Sequence, residues 1–215
     1  MRWSARRGEV TLVIPETFLT RWELEASAAE VSALLADATG LPGWWPAVFL
    51  HAREIEPGDA SGVGQFVEVV TAGFLPWTLR WTIRTTIAEP GARLGVEAAG
   101  DVEGIGLWAL EPFGSRVVVR FRFLGGISSR LWRNLPTLAC PLFRRSYVWA
   151  MERGFTSLML EVWRRRTNDA TARSWLPRPP RPAFPHGLRR WFLARRRQRG
   201  EGRNGNGSST SEVSR

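Results

Sequence analysis

Arg144 and Tyr147 stand three residues apart in PLFRRSYVWAMERGFTSLMLEVWRRR, residues 141–166. On a helix that spacing puts them one turn apart on the same side. A tyrosyl hydroxyl and a guanidinium so placed could orient a carbonyl or supply an acid, and stabilise an enolate. Each also has a plainer role. Tyr147, the only tyrosine, could be a core ring with its hydroxyl at a rim, and Arg144 could lay its stem along the surface and keep its head in water. Other chemistries find few residues. Two histidines, His51 and His186, and one cysteine, Cys140, assemble no Ser/His/Asp or Cys/His set, and no Cys/His cluster has zinc spacing. His51 lies in a candidate strand with ambiguous facing, and the expected inner faces carry no paired carboxylates. No metal or cofactor is expected.

The pair is positioned by a helix over 141–166. At about 100° per residue, Tyr147, Val148, Met151, Phe155, Leu158, Met159 and Val162 form one apolar face, with Gly154 beside it. Arg145, Glu152 and Thr156 lie opposite, and Glu161 with Arg165 makes an i,i+4 pair in the favourable order. Pro141 suits the first turn, where its missing N–H leaves no bond unmade. Trp149 and Leu160 fall on the far side. They should be covered by the first helix, by residues 125–140 or by apolar residues of the tail.

An apolar helix face needs a partner, and the preceding residues supply a sheet. Phe18, Thr20, Trp22 and Leu24 alternate with Leu19, Arg21, Glu23 and Glu25, the period-two pattern of a half-buried strand. Ser27 and Glu30 form a capping box before Val31, Leu34 and Leu35, so a helix starts there and ends at Gly40 and Pro42. Gly43-Trp44-Trp45-Pro46 reads as a helical turn or loop that inserts two indoles. Six strands are then expected, at 49–55, 64–72, 77–87, 93–99, 102–110 and 116–124, separated by Pro/Gly turns. Trp77, Leu79, Trp81 and Ile83 share one face, as do Val117, Val119, Phe121 and Phe123, while arginines take the other. That cationic face is expected to be solvated and paired with Glu68, Glu103 and Glu111. A nucleic-acid platform would interleave aromatics with the arginines, and here they point away, so nucleic acid is not an expected partner. Residues 125–140 read as a loop or short helix. The result is an antiparallel meander covered by one long helix, a two-layer α+β domain.

Charge divides the chain. Residues 1–163 hold 16 Arg against 17 acidic residues, whereas 164–215 hold 14 Arg against 3. All 30 basic residues are Arg, in body and tail alike, which points to base composition of the gene before chemistry. Three regions follow: an N-terminal extension, 1–17; a body, 18–166; and a basic Pro/Arg-rich tail, 167–215, expected to be largely disordered. Within the tail a short amphipathic helix over 186–199 could place Trp191 and Phe192 among arginines, a composition suited to an anionic membrane surface. The lone cysteine, the short apolar run at 11–14 and the lack of a spanning segment make a cytoplasmic protein the expectation, with two readings of the tail open: a solubilising segment, or a peripheral hold at the inner membrane surface.

The run Trp22-Glu23-Leu24-Glu25-Ala26-Ser27-Ala28-Ala29-Glu30-Val31, then Asp37, then Trp44-Trp45-Pro46, then Gly100-Asp101-Val102-Glu103-Gly104-Ile105-Gly106-Leu107-Trp108, resembles the START/Bet v 1-like (SRPBCC) superfamily. It is most similar to the bacterial polyketide cyclase/dehydrase-like branch, over 18–166. The resemblance implies a helix-grip fold, with a seven-stranded antiparallel sheet curled around the C-terminal helix and two short helices after the first strand. It also implies a deep cavity for a hydrophobic small molecule such as a lipid or polyketide. Gly104 and Gly106, alternating on an inner face, would leave room beside the helix; alternatively an indole fills that room. Expected lining residues are Trp45, Trp77, Trp81, Gly104, Gly106, Trp108, Val119, Phe121, Tyr147, Met151, Phe155 and Leu158. Two functions remain in view. One is a carrier or sensor of a hydrophobic molecule. The other is a polyketide cyclase or aromatase for aldol-type cyclisation or dehydration, with Tyr147 and Arg144 catalytic, since a shaped pocket alone supplies proximity.

Overall fold

A computed structural model describes residues 16–127 and 136–184. The chain divides into two units, Met1–Ala183 and Phe184–Arg215, and of the second only Phe184 falls within the described residues. The first unit runs β1 (Glu16–Leu24), α1 (Ala28–Ala36), α2 (Leu41–Trp44), β2 (Phe49–Glu56), β3 (Phe66–Ala72), β4 (Thr78–Glu89), β5 (Arg93–Gly100), β6 (Val102–Phe113), β7 (Arg116–Ile127), α3 (Pro136–Arg166) and α4 (Ala170–Trp175).

The seven strands form one antiparallel sheet in the order β1-β7-β6-β5-β4-β3-β2. Strands β2 to β7 are a meander, and β1 returns to the far edge beside β7, Phe18 opposite Phe123 and Trp22 opposite Val119. Register shifts interrupt β2 and, between Thr85 and Ile87, β4. Such irregularities bend a strand and deepen the twist, which is how a sheet curls around a helix.

Alternation along the strands decides the layers. Val67, Val69, Val117 and Val119 are fully buried, each contributing roughly 1.5–3 kcal/mol by leaving water. On the outer face Arg53 and Arg80 pair with Glu68, Arg84 with Glu56, Arg116 with Glu23 and Glu25, and Arg120 with Glu111. Glu103, expected among those partners, has none among the described residues; Glu56, Glu23 and Glu25 serve instead because the register sets them beside arginines. His51 lies on this exposed side.

The capping box opens α1 as expected: the Ser27 hydroxyl accepts from the Glu30 N–H, and the Glu30 carboxylate accepts from the Ser27 N–H at 2.8 Å. The same carboxylate receives Arg166 from the end of α3, with Nε to Oε1 at 2.6 Å and a second nitrogen to Oε2 at 2.7 Å. Arg166 also donates to the Glu25 carbonyl. One residue thus fastens the long helix to the start of α1.

Helix α3 differs from its expected extent. It starts at Pro136, so Pro141 lies inside it rather than in its first turn. Pro136 takes the terminal position, and Pro141 simply donates no bond to the carbonyl of Thr137. Val148, expected on the inner stripe, is 50% exposed, because the sheet covers a narrower arc of the helix than the apolar residues span. On the far side Leu160 is buried and Trp149 packs against the core with Arg153 over its ring, and α1 packs against α3. Beyond Arg166, α4 forms within the stretch read as tail. Its N-cap Asp169 accepts from the Thr171 N–H, while Arg173 donates to the Thr167 carbonyl and Arg164 to that of Pro177. The expected helix at 186–199 lies outside the described residues.

Candidate functional site

Where the sheet curls away from α3, a cavity of about 200 Å³ remains. Its floor is β3 to β7 and its roof is α3. The side near the end of α1 is closed by Leu35, Ala36, Ala38 and Leu41. Exposed Ala36, with partly exposed Gly73 and Ser146, marks the edge toward solvent. At that edge α3 meets the β3–β4 loop: a Cβ on Gly73 would stand 2.0 Å from the Ser146 hydroxyl oxygen. The Arg145 guanidinium lies 5.9 Å from the Phe74 ring centroid.

Aromatic rings dominate the wall. Trp108 and Phe121 stack at 4.0 Å, Phe123 follows at 6.3 Å from Phe121, and Phe49 stands 6.4 Å from Trp81. Trp45 is held edge-on to Phe49 and stacked on Trp44. Gly154 makes this arrangement fit. A Cβ there would come within 2.3 Å of the Trp45 ring, so only a residue without one lets α3 settle on that indole.

The polar side-chain groups of the lining are the hydroxyls of Thr71, Thr85, Ser146 and Tyr147 and the indole N–H groups of Trp45, Trp81 and Trp108. Thr71 accepts the Trp81 indole N–H at 2.9 Å. The Tyr147 hydroxyl is 2.8 Å from that of Thr20 on β1, and its ring lies 4.5 Å from Phe18. Burial pushes the Tyr147 pKa up to about 12, only partly offset by the Thr20 hydrogen bond. At neutral pH it is therefore a neutral donor or acceptor and no base. No charged side chain, histidine or carboxylate lines the cavity among the described residues, and no group of side chains there could hold a metal ion.

Of the residues expected to line a cavity, Trp45, Trp81, Trp108, Phe121, Tyr147 and Met151 do so. Trp77, Gly104, Gly106, Val119, Phe155 and Leu158 do not. The glycines are closed off by β7: a Cβ on Gly104 would meet the Leu124 carbonyl oxygen at 2.3 Å and the Gly125 Cα at 2.7 Å before the Phe123 ring at 3.0 Å, and one on Gly106 the Phe121 ring at 2.9 Å. The Phe121 ring, rather than an indole, lies over Gly106, and the β7 backbone leaves no room at Gly104. Val119 and Leu158 are sealed in the core, and Phe155 packs on Trp22. Arg144 is exposed and outside the lining, so the one-turn spacing does not bring it to Tyr147 inside the cavity. Thr71, Thr85, Ser146 and Phe143 were not anticipated. Phe143 and Ser146, one turn and one residue before Tyr147, were open to detection; the threonines required the strand register.

Comparison with known proteins agrees with this geometry. A search of curated protein sequences finds no match. Among solved structures, the chain is similar in fold to the ZhuI aromatase/cyclase from Streptomyces sp. R1128, with 16% identity, a TM-score of 0.59, and 72% of this chain and 97% of that one covered. A START superfamily protein from Mycobacterium smegmatis gives 11% identity and a TM-score of 0.58, over 70% and 99% of the two chains. Norcoclaurine synthase from Thalictrum flavum gives 16% identity and a TM-score of 0.52, over 76% and 96%. These likenesses establish the helix-grip fold. The family model described as polyketide cyclase / dehydrase and lipid transport matches residues 17–159, from β1 through most of α3, and the chain belongs to that family.

Proposed function

We propose that the protein binds a hydrophobic small molecule in the cavity between the sheet and α3, as a carrier or sensor. One observation carries this reading: among the described residues the cavity is walled by aromatic and aliphatic side chains and offers hydroxyls but no acid–base pair. Organic extraction and native mass spectrometry of purified protein test it. A co-purifying apolar molecule is expected, and its release should accompany cavity-filling substitution.

A second reading, cyclisation or dehydration of a polyketide, draws on the family and on Tyr147, whose neutral hydroxyl could polarise a ketone. The exposed Arg144 would have to swing inward to stabilise an enolate. An unchanged product profile after Tyr147→Phe and Arg144→Ala in a cyclisation assay removes both roles.

A cytoplasmic location, with a peripheral hold on anionic membrane through the basic tail, would suit a carrier that loads from a bilayer. Support comes from the arginines around Trp191 and Phe192 and from Trp175, 82% exposed beside Arg173. No described helix is long and apolar enough to cross a membrane. Flotation with anionic vesicles should lose the protein when Trp191 and Phe192 are replaced by Ala; equal flotation removes the tail from this reading.

A further inference from the structure

The cavity wall has a definite electrostatic character. Its polar atoms belong to neutral groups, and two of the hydroxyls already have partners within the protein, Thr71 with Trp81 and Tyr147 with Thr20. Among the described residues, every surrounding element carries its charges elsewhere. Asp37, at the end of α1, is exposed, and its carboxylate accepts from Thr39 and the Gly40 N–H. The charged residues of the neighbouring strands stand on the outer face: Arg21 on β1, Glu68 on β3, Arg80 and Arg84 on β4, Glu97 on β5, Glu103 on β6, and Arg120 and Arg122 on β7. On α3, Arg144 and Arg145 are exposed, and Arg145 is engaged with Phe74.

We propose that this cavity selects its ligand by charge: it takes an uncharged molecule of one or two rings, or similar bulk, bearing at most a carbonyl or hydroxyl, and rejects the carboxylate of the same shape. The inference rests on the proposed role of the cavity as a ligand site and names the class it accepts. Size follows from volume, since an apolar cavity of roughly 150 Å³ holds benzene and this one is somewhat larger. Charge follows from solvation. A carboxylate entering the cavity leaves its water and meets no cation among the described residues, so protonation is the easier route to burial. A ketone loses far less and can accept a hydrogen bond from one of the lining hydroxyls. An acid should therefore enter only in its neutral form, and its apparent affinity above its own pKa should fall about tenfold per pH unit.

Isothermal titration calorimetry of the full chain tests this with matched pairs, acetophenone against benzoate and naphthyl methyl ketone against naphthoate. At about pH 7.5 the carboxylates should bind at least about a hundredfold more weakly than the ketones. They should gain about tenfold per pH unit down to about pH 5.5, while ketone affinity stays constant. Carboxylate affinity within about threefold of the ketone at the higher pH overturns the charge selection but leaves hydrophobic binding standing. So does a benzoate affinity that Arg144→Ala abolishes, because a cation would then reach the ligand. If neither ketones nor carboxylates bind, the cavity reading fails, and the charge selection fails with it.

Discussion

The hydroxyls of Thr20 and Tyr147 lie 2.8 Å apart, joining the edge strand β1 to the roof helix α3 beside the cavity. Because Tyr147 is the only tyrosine, its ionisation can be followed without interference. Its folded pKa is raised to about 12 by burial, against about 10 for an exposed tyrosine. The stability tied to this group is thus fully present below about pH 10 and lost as pH rises toward about 12. Tyrosinate absorbance should titrate near 12 in the folded protein. Tyr147→Phe should cost about 1 kcal/mol near neutrality and remove this alkaline phase from denaturation curves.

The clamp between Glu30 and Arg166 has the opposite pH sense. The Arg166 hydrogen bonds, then the Ser27 N–H, hold the Glu30 carboxyl down to about 2. Its contribution is complete above the usual glutamate pKa and disappears as pH falls from about 4.5 toward about 2. Both side chains are partly exposed, so solvent screening keeps the pair modest. Arg166→Ala should lower stability by about 1 kcal/mol, less in high salt, and flatten the acid limb of the stability profile.

Gly154→Ala sets two effects against each other. Alanine gains about 1 kcal/mol of helix propensity, but its Cβ would collide with Trp45, which Trp44, Trp22 and Phe49 hold in place. Overpacking of this kind costs about 1–3 kcal/mol. A net loss of up to about 2 kcal/mol is expected, with altered indole fluorescence; a stabilised variant would show that Trp45 moves freely.

Ala150 faces the cavity from α3. Ala150→Leu keeps helix propensity high and puts its side chain into open space, so thermal stability should hold within about 1 kcal/mol while bound ligand is lost. Ligand retained at full occupancy would place the binding site elsewhere.

Thr71→Val deletes the acceptor of the Trp81 indole N–H. A donor left unpaired in a mostly apolar wall costs about 1–3 kcal/mol, and the freed indole should broaden ligand selectivity. Urea denaturation and the ketone titrations measure the two effects.

The local signals in the chain were enough for its strands and for α1, though not for α4 or the start of α3. Strict alternation at Trp77–Ile83 and Arg116–Phe123, the Ser27/Glu30 capping box and the stripe on α3 each follow from backbone geometry acting over a few residues, and so they are legible one segment at a time. The strands, the first helix and the two-layer arrangement were read this way. Other features depend on residues far apart in the chain. Val119 and Trp108 carry the same inward signature, yet one is sealed in the core and the other bounds open space, because sheet curvature decides how close α3 comes at each point. Gly104 and Gly106 promise room in the sequence, and only the β6–β7 register shows the Phe121 ring and the β7 backbone taking it up. Arg144 and Tyr147 share a helical turn, yet the sheet covers only part of that turn, leaving one in solvent and one in the wall. The sequence by itself determined which faces are apolar. Tertiary packing decided where those faces touch and where they leave a cavity, because that depends on curvature and on contacts between strands and helix that no local pattern encodes.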